Sequence, residues 1–158
     1  MKYLSIDPSV NNIGWATYES PLSEPYNPVD GLWAWGEWNP PEGATLQERC
    51  AYICNKAKAK DPTHLVVEYP TFMVSLKGQI AAQKGYTIDL ATVVGFVAGS
   101  LQLSPHAIFF YTPMQWKGQK KKHMIEVRFL SVFGREHKGT SDHAYEATMM
   151  LYKHLKNK

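Results

Sequence analysis

Cysteine is nearly absent from this sequence of 158 residues: Cys50 and Cys54, spaced C-x3-C, are the only two. No second Cys or His pair stands at zinc-ligand spacing, so neither a disulfide framework nor a structural zinc site is indicated, and both thiols are expected half-buried on a helix. Long apolar runs are missing as well. No stretch approaches the ~20 residues that span a bilayer, and no basic flank precedes an apolar core of signal-peptide type, so a cytoplasmic location is expected. Internal repeats and low-complexity tracts are also lacking, which leaves one domain over 1–158 as the expectation. At 44% hydrophobic residues, such a chain buries roughly two thirds of its unfolded surface and needs no staple.

Bases are scarce at one end only. Residues 1–48 hold seven acids against a single base, Lys2, whereas residues 117–158 hold ten bases against four acids. The net charge of +3 therefore conceals a basic carboxy-terminal third. Within it, "WKGQKKKH" (Trp116 to His123) interleaves Lys117, Lys120, Lys121 and Lys122 with an indole and an imidazole, a composition suited to phosphates and to a base or sugar. A solvated lysine face is the plain alternative.

Hydrophobic patterning gives an ordered alternation. Tyr3 to Asp7 reads as a buried strand and Ile13 to Tyr18 as its antiparallel partner across "PSVNN", followed by a loop with Pro21, Pro25 and Pro28. Gly31 to Trp38, with three tryptophans, suggests a third strand. "PPEGATLQERCAYICNKAKAKD" reads as a helix with Leu46, Cys50, Ile53 and Ala57 on one face. "HLVVEYP" is then a buried strand ending on Glu68. A helix about Ile88 to Leu101 carries two ridges: Leu90, Val93, Val94, Val97 and Leu101 on one side, and Ala91, Gly95 and Gly99 on the other. "AIFFYTP" is a short strand, Met124 to Phe133 an amphipathic helix stopped by Gly134, and "TSDHAYEATMMLYKHLKNK" a helix capped by Thr140 or Ser141. Together these make an α/β or α+β sheet with helices on it.

The acids then acquire a common setting. Asp7 and Glu68 each close an apolar strand, and Asp142 and Glu146 stand one helical turn apart at the start of the last helix. If the two strands are neighbours, three or four carboxylates meet at one sheet edge. Converging carboxylates repel one another and are costly to desolvate, so such a cluster persists chiefly around a hard divalent cation. Two cations roughly 4 Å apart would activate water and stabilise the leaving oxygen in phosphodiester cleavage. Each acid taken singly reads as a turn residue, strand end or helix cap rather than a ligand; their joint placement, two closing apolar strands and two opening a helix, points to the metal.

"SIDPSVNNIGWA", "LVVEYP" and "SDHAYEATMML", in this order and spacing, resemble the RuvC-type Holliday junction resolvases of the retroviral-integrase/RNase H-like superfamily, as a divergent or phage member. "YTPMQWKG" stands where that family has a strand, a Thr-Pro and a basic segment. The resemblance covers about residues 3 to 155. It implies an α/β RNase H-like fold with a mixed five-stranded sheet flanked by helices. It also implies a homodimer that cuts two strands of a four-way DNA junction symmetrically, with two Mg2+ ions per site for which Mn2+ can substitute. Asp7 and Glu68 correspond to metal ligands of the family, and its last motif places His143 and Glu146 before Ala147. This sequence departs from that motif, since Glu146 stands where Asp is usual and an additional Asp142 precedes His143. The catalytic set implied is Asp7, Glu68, His143 and Glu146, and both Asp142 and His143 can claim the remaining metal position: His143 as a neutral imidazole ligand or as the group that positions the attacking water, Asp142 as a carboxylate ligand or mainly as a helix cap. Tyr69 and Phe72 follow the strand acid, where the family has an aromatic that meets opened base pairs. The Ala91, Gly95, Gly99 ridge fits either a helix contact between subunits or close packing on its own sheet.

Three other activities share parts of this pattern. RNase H-type cleavage of flapped or branched DNA or of RNA–DNA hybrids uses the same carboxylates, and a catalytically inactive DNA-binding module would keep only the fold. The hairpin opening also resembles nucleotide-binding sheets of the actin and sugar-kinase group, but the chain has no second phosphate loop and is far too short for two lobes.

Overall fold

The computed structural model describes residues 1–9, 12–20, 30–71 and 84–157. Along them run β1 (Lys2–Asp7), β2 (Ile13–Glu19), β3 (Leu32–Trp38), α1 (Leu46–Lys58), β4 (His64–Glu68), α2 (Tyr86–Ser100), β5 (Ile108–Tyr111), the single turn α3 (Pro113–Trp116), α4 (Lys122–Phe133) and α5 (Asp142–Lys156). The sheet order is β3-β2-β1-β4-β5. β1 pairs antiparallel with β2 and parallel with β4, and β5 continues parallel beyond β4. This is the mixed five-stranded sheet with flanking helices expected from the sequence. The loop carrying Pro21, Pro25 and Pro28 lies outside the described residues.

β1 is the central strand, and its sequence says why: Tyr3 to Asp7 are all buried, as a strand covered on both faces requires. Successive side chains alternate between two cores. On one face Tyr3, Tyr18 and Val66 pack with Phe129 of α4 and with Ala147, Met150 and Leu151 of α5. On the other, Leu4, Ile6, Leu65 and Val67 pack with Ile53 of α1 and with Val93 and Val97 of α2. The tryptophans of β3 divide accordingly, Trp33 and Trp35 against the first core and Trp38 in the second.

Local signals set the helix ends. Thr45 caps α1 in a reciprocal box with Glu48, and Ser141 caps α5 by accepting from the Ala144 amide at 3.2 Å. Three readings of the sequence need correction. Cys50 and Cys54 are fully buried rather than half-buried, because they lie on the face of α1 that meets the sheet. Asp142 does not cap α5, since Ser141 does. Gly95 and Gly99 do not bring α2 close to its own sheet: both are exposed, and a methyl group added at either would meet nothing within 4 Å. Among the described residues, no helix is long and apolar enough to cross a membrane.

Candidate functional site

The period of two in the strands decides where the strand acids point. Asp7 shares parity with Tyr3, and Glu68 with Val66, so both carboxylates emerge on the face that α5 covers. Parallel pairing of Ile6 with Val67 then sets the two acids side by side at the carboxy-terminal edge of β1 and β4. The start of α5 crosses this edge because Gly14 opposes Asp7 in β2 and has no side chain. A Cβ at Gly14 would lie 2.0 Å from the His143 carbonyl oxygen. Glu146 thus reaches the strand acids, and carboxylate oxygens of Asp7, Glu68 and Glu146 all lie within 4.8 Å of one another. His143 completes the group through a 2.7 Å hydrogen bond between its Nδ1 and Asp7 Oδ2.

Two further residues join from the segment after β5. Thr112 and Pro113 open α3, with Thr112 and Gln115 in a capping box, and one turn later the chain delivers Trp116 and Lys117 to the acids. Trp116 Nε1 donates to Glu68 Oε2 at 2.5 Å. The Lys117 ammonium donates to Glu146 Oε2 at 2.5 Å and stands 3.6 Å from Glu68 Oε2. Lys153 Nζ fixes the end of this turn by donating to the carbonyls of Gln115 and Trp116 at 2.8 and 2.9 Å.

Burial dominates the electrostatics. It pushes the Asp7 carboxyl above its ordinary range, against the opposing hydrogen bond from His143. Burial, seconded by repulsion from Asp7, pushes Glu68 up to about 7 despite Lys117 and the Trp116 N–H. The hydrogen bond to Asp7 raises His143. Burial works against the Lys117 charge, but Glu68 and Glu146 outweigh it and hold the ammonium protonated. The cluster is therefore short of positive charge. An ammonium already lies among three converging carboxylates, and an all-oxygen donor set of this kind suits a hard divalent cation. The residues present fit such an ion.

The remaining sequence candidates fall in different places. Asp142 is exposed and pairs with Lys122 at 3.3 Å, apart from the three converging acids. Lys120, Lys121 and Lys122 are exposed. Tyr69, 45% exposed, meets Phe110 edge to face at 6.0 Å beside the strand acid. Phe72 lies outside the described residues. Trp116 is buried, so it cannot offer its face to a base as the lysine-rich segment suggested. The contribution of Trp116 and Lys117 to the acid cluster escaped the sequence reading. Its signal was the Thr-Pro that starts a helical turn directly after a strand neighbouring β4.

No protein-family profile matches the sequence, and no curated protein does. Solved structures do match. A Thermus thermophilus RuvC structure superposes with a TM-score of 0.62 at 18% identity, covering 98% of this chain and 93% of the other. A T. thermophilus RuvC in complex with Holliday junction substrate gives 0.64 at 16% identity, covering 98% and 92%. The chain has a RuvC-type, RNase H-like fold over nearly its whole length.

Proposed function

We propose that this protein is a structure-selective endonuclease that resolves four-way DNA junctions by metal-dependent phosphodiester hydrolysis. The carrying observation is the convergence of Asp7, Glu68 and Glu146 within 4.8 Å on a RuvC-type fold. The comparison structure holding a Holliday junction supports the choice of substrate.

Asp7, Glu68 and Glu146 would hold the metal, with Mg2+ as the ion of choice, Mn2+ as its substitute, and two ions per site. When bound, such ions supply Lewis-acid polarisation of the phosphate and a lowered pKa for the attacking water. The chain's own groups do the rest. With its Nδ1 proton donated to Asp7, His143 is fixed in orientation and has Nε2 left for a water or a phosphate oxygen. Lys117, held charged between Glu68 and Glu146, neutralises charge gathering on the phosphoryl oxygens. Trp116 anchors Glu68 so that its carboxylate faces inward. Tyr69, with Phe72, is the candidate for contact with opened base pairs, and Lys120, Lys121 and Lys122 for backbone phosphates.

Symmetric cutting of two strands needs two sites, and the α2 face of half-buried Ala91 and exposed Gly95 and Gly99, flanked by exposed Ile88 and Phe96, suits contact with a second copy. Asp7→Asn, which keeps shape and removes charge, is expected to abolish nicking of a four-way junction in Mg2+ while junction binding is kept or strengthened. Near-normal cutting by this variant would exclude the metal-dependent mechanism. Preferential cutting of an RNA–DNA hybrid or a flap by the wild type would move the substrate to the RNase H class.

A further inference from the structure

On the nuclease reading of the acid cluster, we propose that the cleft between α3, α4 and α5 is a second phosphate site, taking the backbone of a DNA strand that continues from that cluster. The cavity measures about 250 Å³. Lys117, Lys120, Arg128, Lys153 and Lys156 line it, and among the described residues no acidic one does. Its apolar part is half-buried Tyr152, which offers a surface for a sugar or base between charged walls, with the buried Ile125 and Met149 forming the floor beneath.

Three observations favour a nucleic-acid strand. First, the cations are unspent: Lys120, Arg128, Lys153 and Lys156 have no acidic partner among the described residues. Cations gathered without counter-charge repel one another, and a polyanion relieves that repulsion while releasing its own condensed counterions. Secondly, one of them is pre-positioned. Two of the three N–H groups of Lys153 are held by the Gln115 and Trp116 carbonyls, leaving one for a ligand. Thirdly, the cleft is continuous with the acid cluster. Trp116 and Lys117 line it and also contact Glu68 and Glu146. A polyanion approaching three carboxylates meets repulsion there, and an adjoining row of cations offsets it along the same strand.

The test measures binding of a four-way junction and of a linear duplex across about 50 to 200 mM salt, for wild type, Arg128→Gln, Lys156→Gln and the double variant. Both side chains are exposed, so the fold is retained, and circular dichroism checks this. Each substitution is expected to lower the slope of log affinity against log salt by about 1, and the pair by about 2, on both DNAs. Wild-type slopes in all variants overturn the proposal. So does loss of inorganic phosphate or deoxynucleoside monophosphate binding with unchanged DNA slopes, which marks a small-anion site instead. Cleavage in Mg2+ is scored separately. A chain that cuts junctions with unchanged slopes loses the cleft and keeps the nuclease. One that never cuts but loses slope keeps the cleft and loses the nuclease, and one that binds no DNA loses both.

Discussion

Replacing Glu68 by Gln should make the metal-free protein more stable while removing its activity. Glu68 has a carboxyl that burial and Asp7 push from an ordinary 4.5 to about 7. A group that binds its proton more tightly folded than unfolded contributes stability that is full below the unfolded value and lost as pH rises through the folded one. For Glu68 that window runs from about pH 4.5 to above 7. At about 1.4 kcal/mol per tenfold change in proton affinity, holding the ionised form in place costs about 3 kcal/mol at pH 8. Gln fills nearly the same volume, carries no charge, and keeps an oxygen to accept from Trp116 Nε1. With a chain of this size responding by roughly 2–4 °C per kcal/mol, the variant should melt up to about 10 °C above wild type at pH 8 in chelator. The gap should shrink to about 1 kcal/mol by pH 5, where Glu68 of the folded wild type is itself neutral, and close below about pH 4.5. Excess Mg2+ should then raise the wild-type melting temperature more than that of Glu68→Gln, since an ion that binds only the folded state stabilises it. Thermal melts at pH 5 and pH 8, with chelator and with Mg2+, read all four values. A wild type that out-melts Glu68→Gln at pH 8 in chelator would refute the reasoning, because the carboxylates would then be satisfied without a metal.

Further outcomes follow from the same geometry. Gly14→Ala places a methyl against the His143 carbonyl, and the displacement of α5 should cost about 1–3 kcal/mol in denaturant titration together with most of the cleavage rate; unaltered values would show that α5 does not depend on this close approach. Glu146→Gln and His143→Ala should each remove most cleavage, while Asp142→Asn, which loses only an exposed contact with Lys122, should change stability by no more than about 1 kcal/mol and still cut. If Asp142→Asn is inactive and His143→Ala cuts, the ligand is Asp142. Gly95→Leu, on an open face of α2, should leave the monomer folded and shift a sedimentation profile from dimer to monomer; a wild type that sediments as a monomer even on a junction rules this contact out.

Much of this arrangement was legible in the chain because period-2 and period-3.6 patterns are local properties. Apolar runs ending on Asp7 and Glu68 marked two buried strands with an acid at the end of each, whereas the common face of the two acids follows from the pairing of Ile6 with Val67, a long-range contact. The choice between Asp142 and His143 was not legible, since both stand within one turn of Glu146 and only the docking of α5 on Gly14 selects the side that faces Asp7. The inward placement of Lys117 and Trp116 is hidden in the sequence for a related reason. A lysine-rich segment looks solvated residue by residue, and only the capping turn after β5 carries its first two members inward. The open face of α2 could not be separated from a packed one, because small residues serve close approach in either direction.

The most direct measurement is a cleavage gel on a synthetic four-way junction, a Y-shaped DNA and a linear duplex, each with and without Mg2+. Paired nicks at symmetric positions of the four-way junction, dependent on Mg2+ and weak or missing on the other two, are the predicted result. Equal cutting of the linear duplex, or junction cutting that persists in chelator, would contradict the central claim.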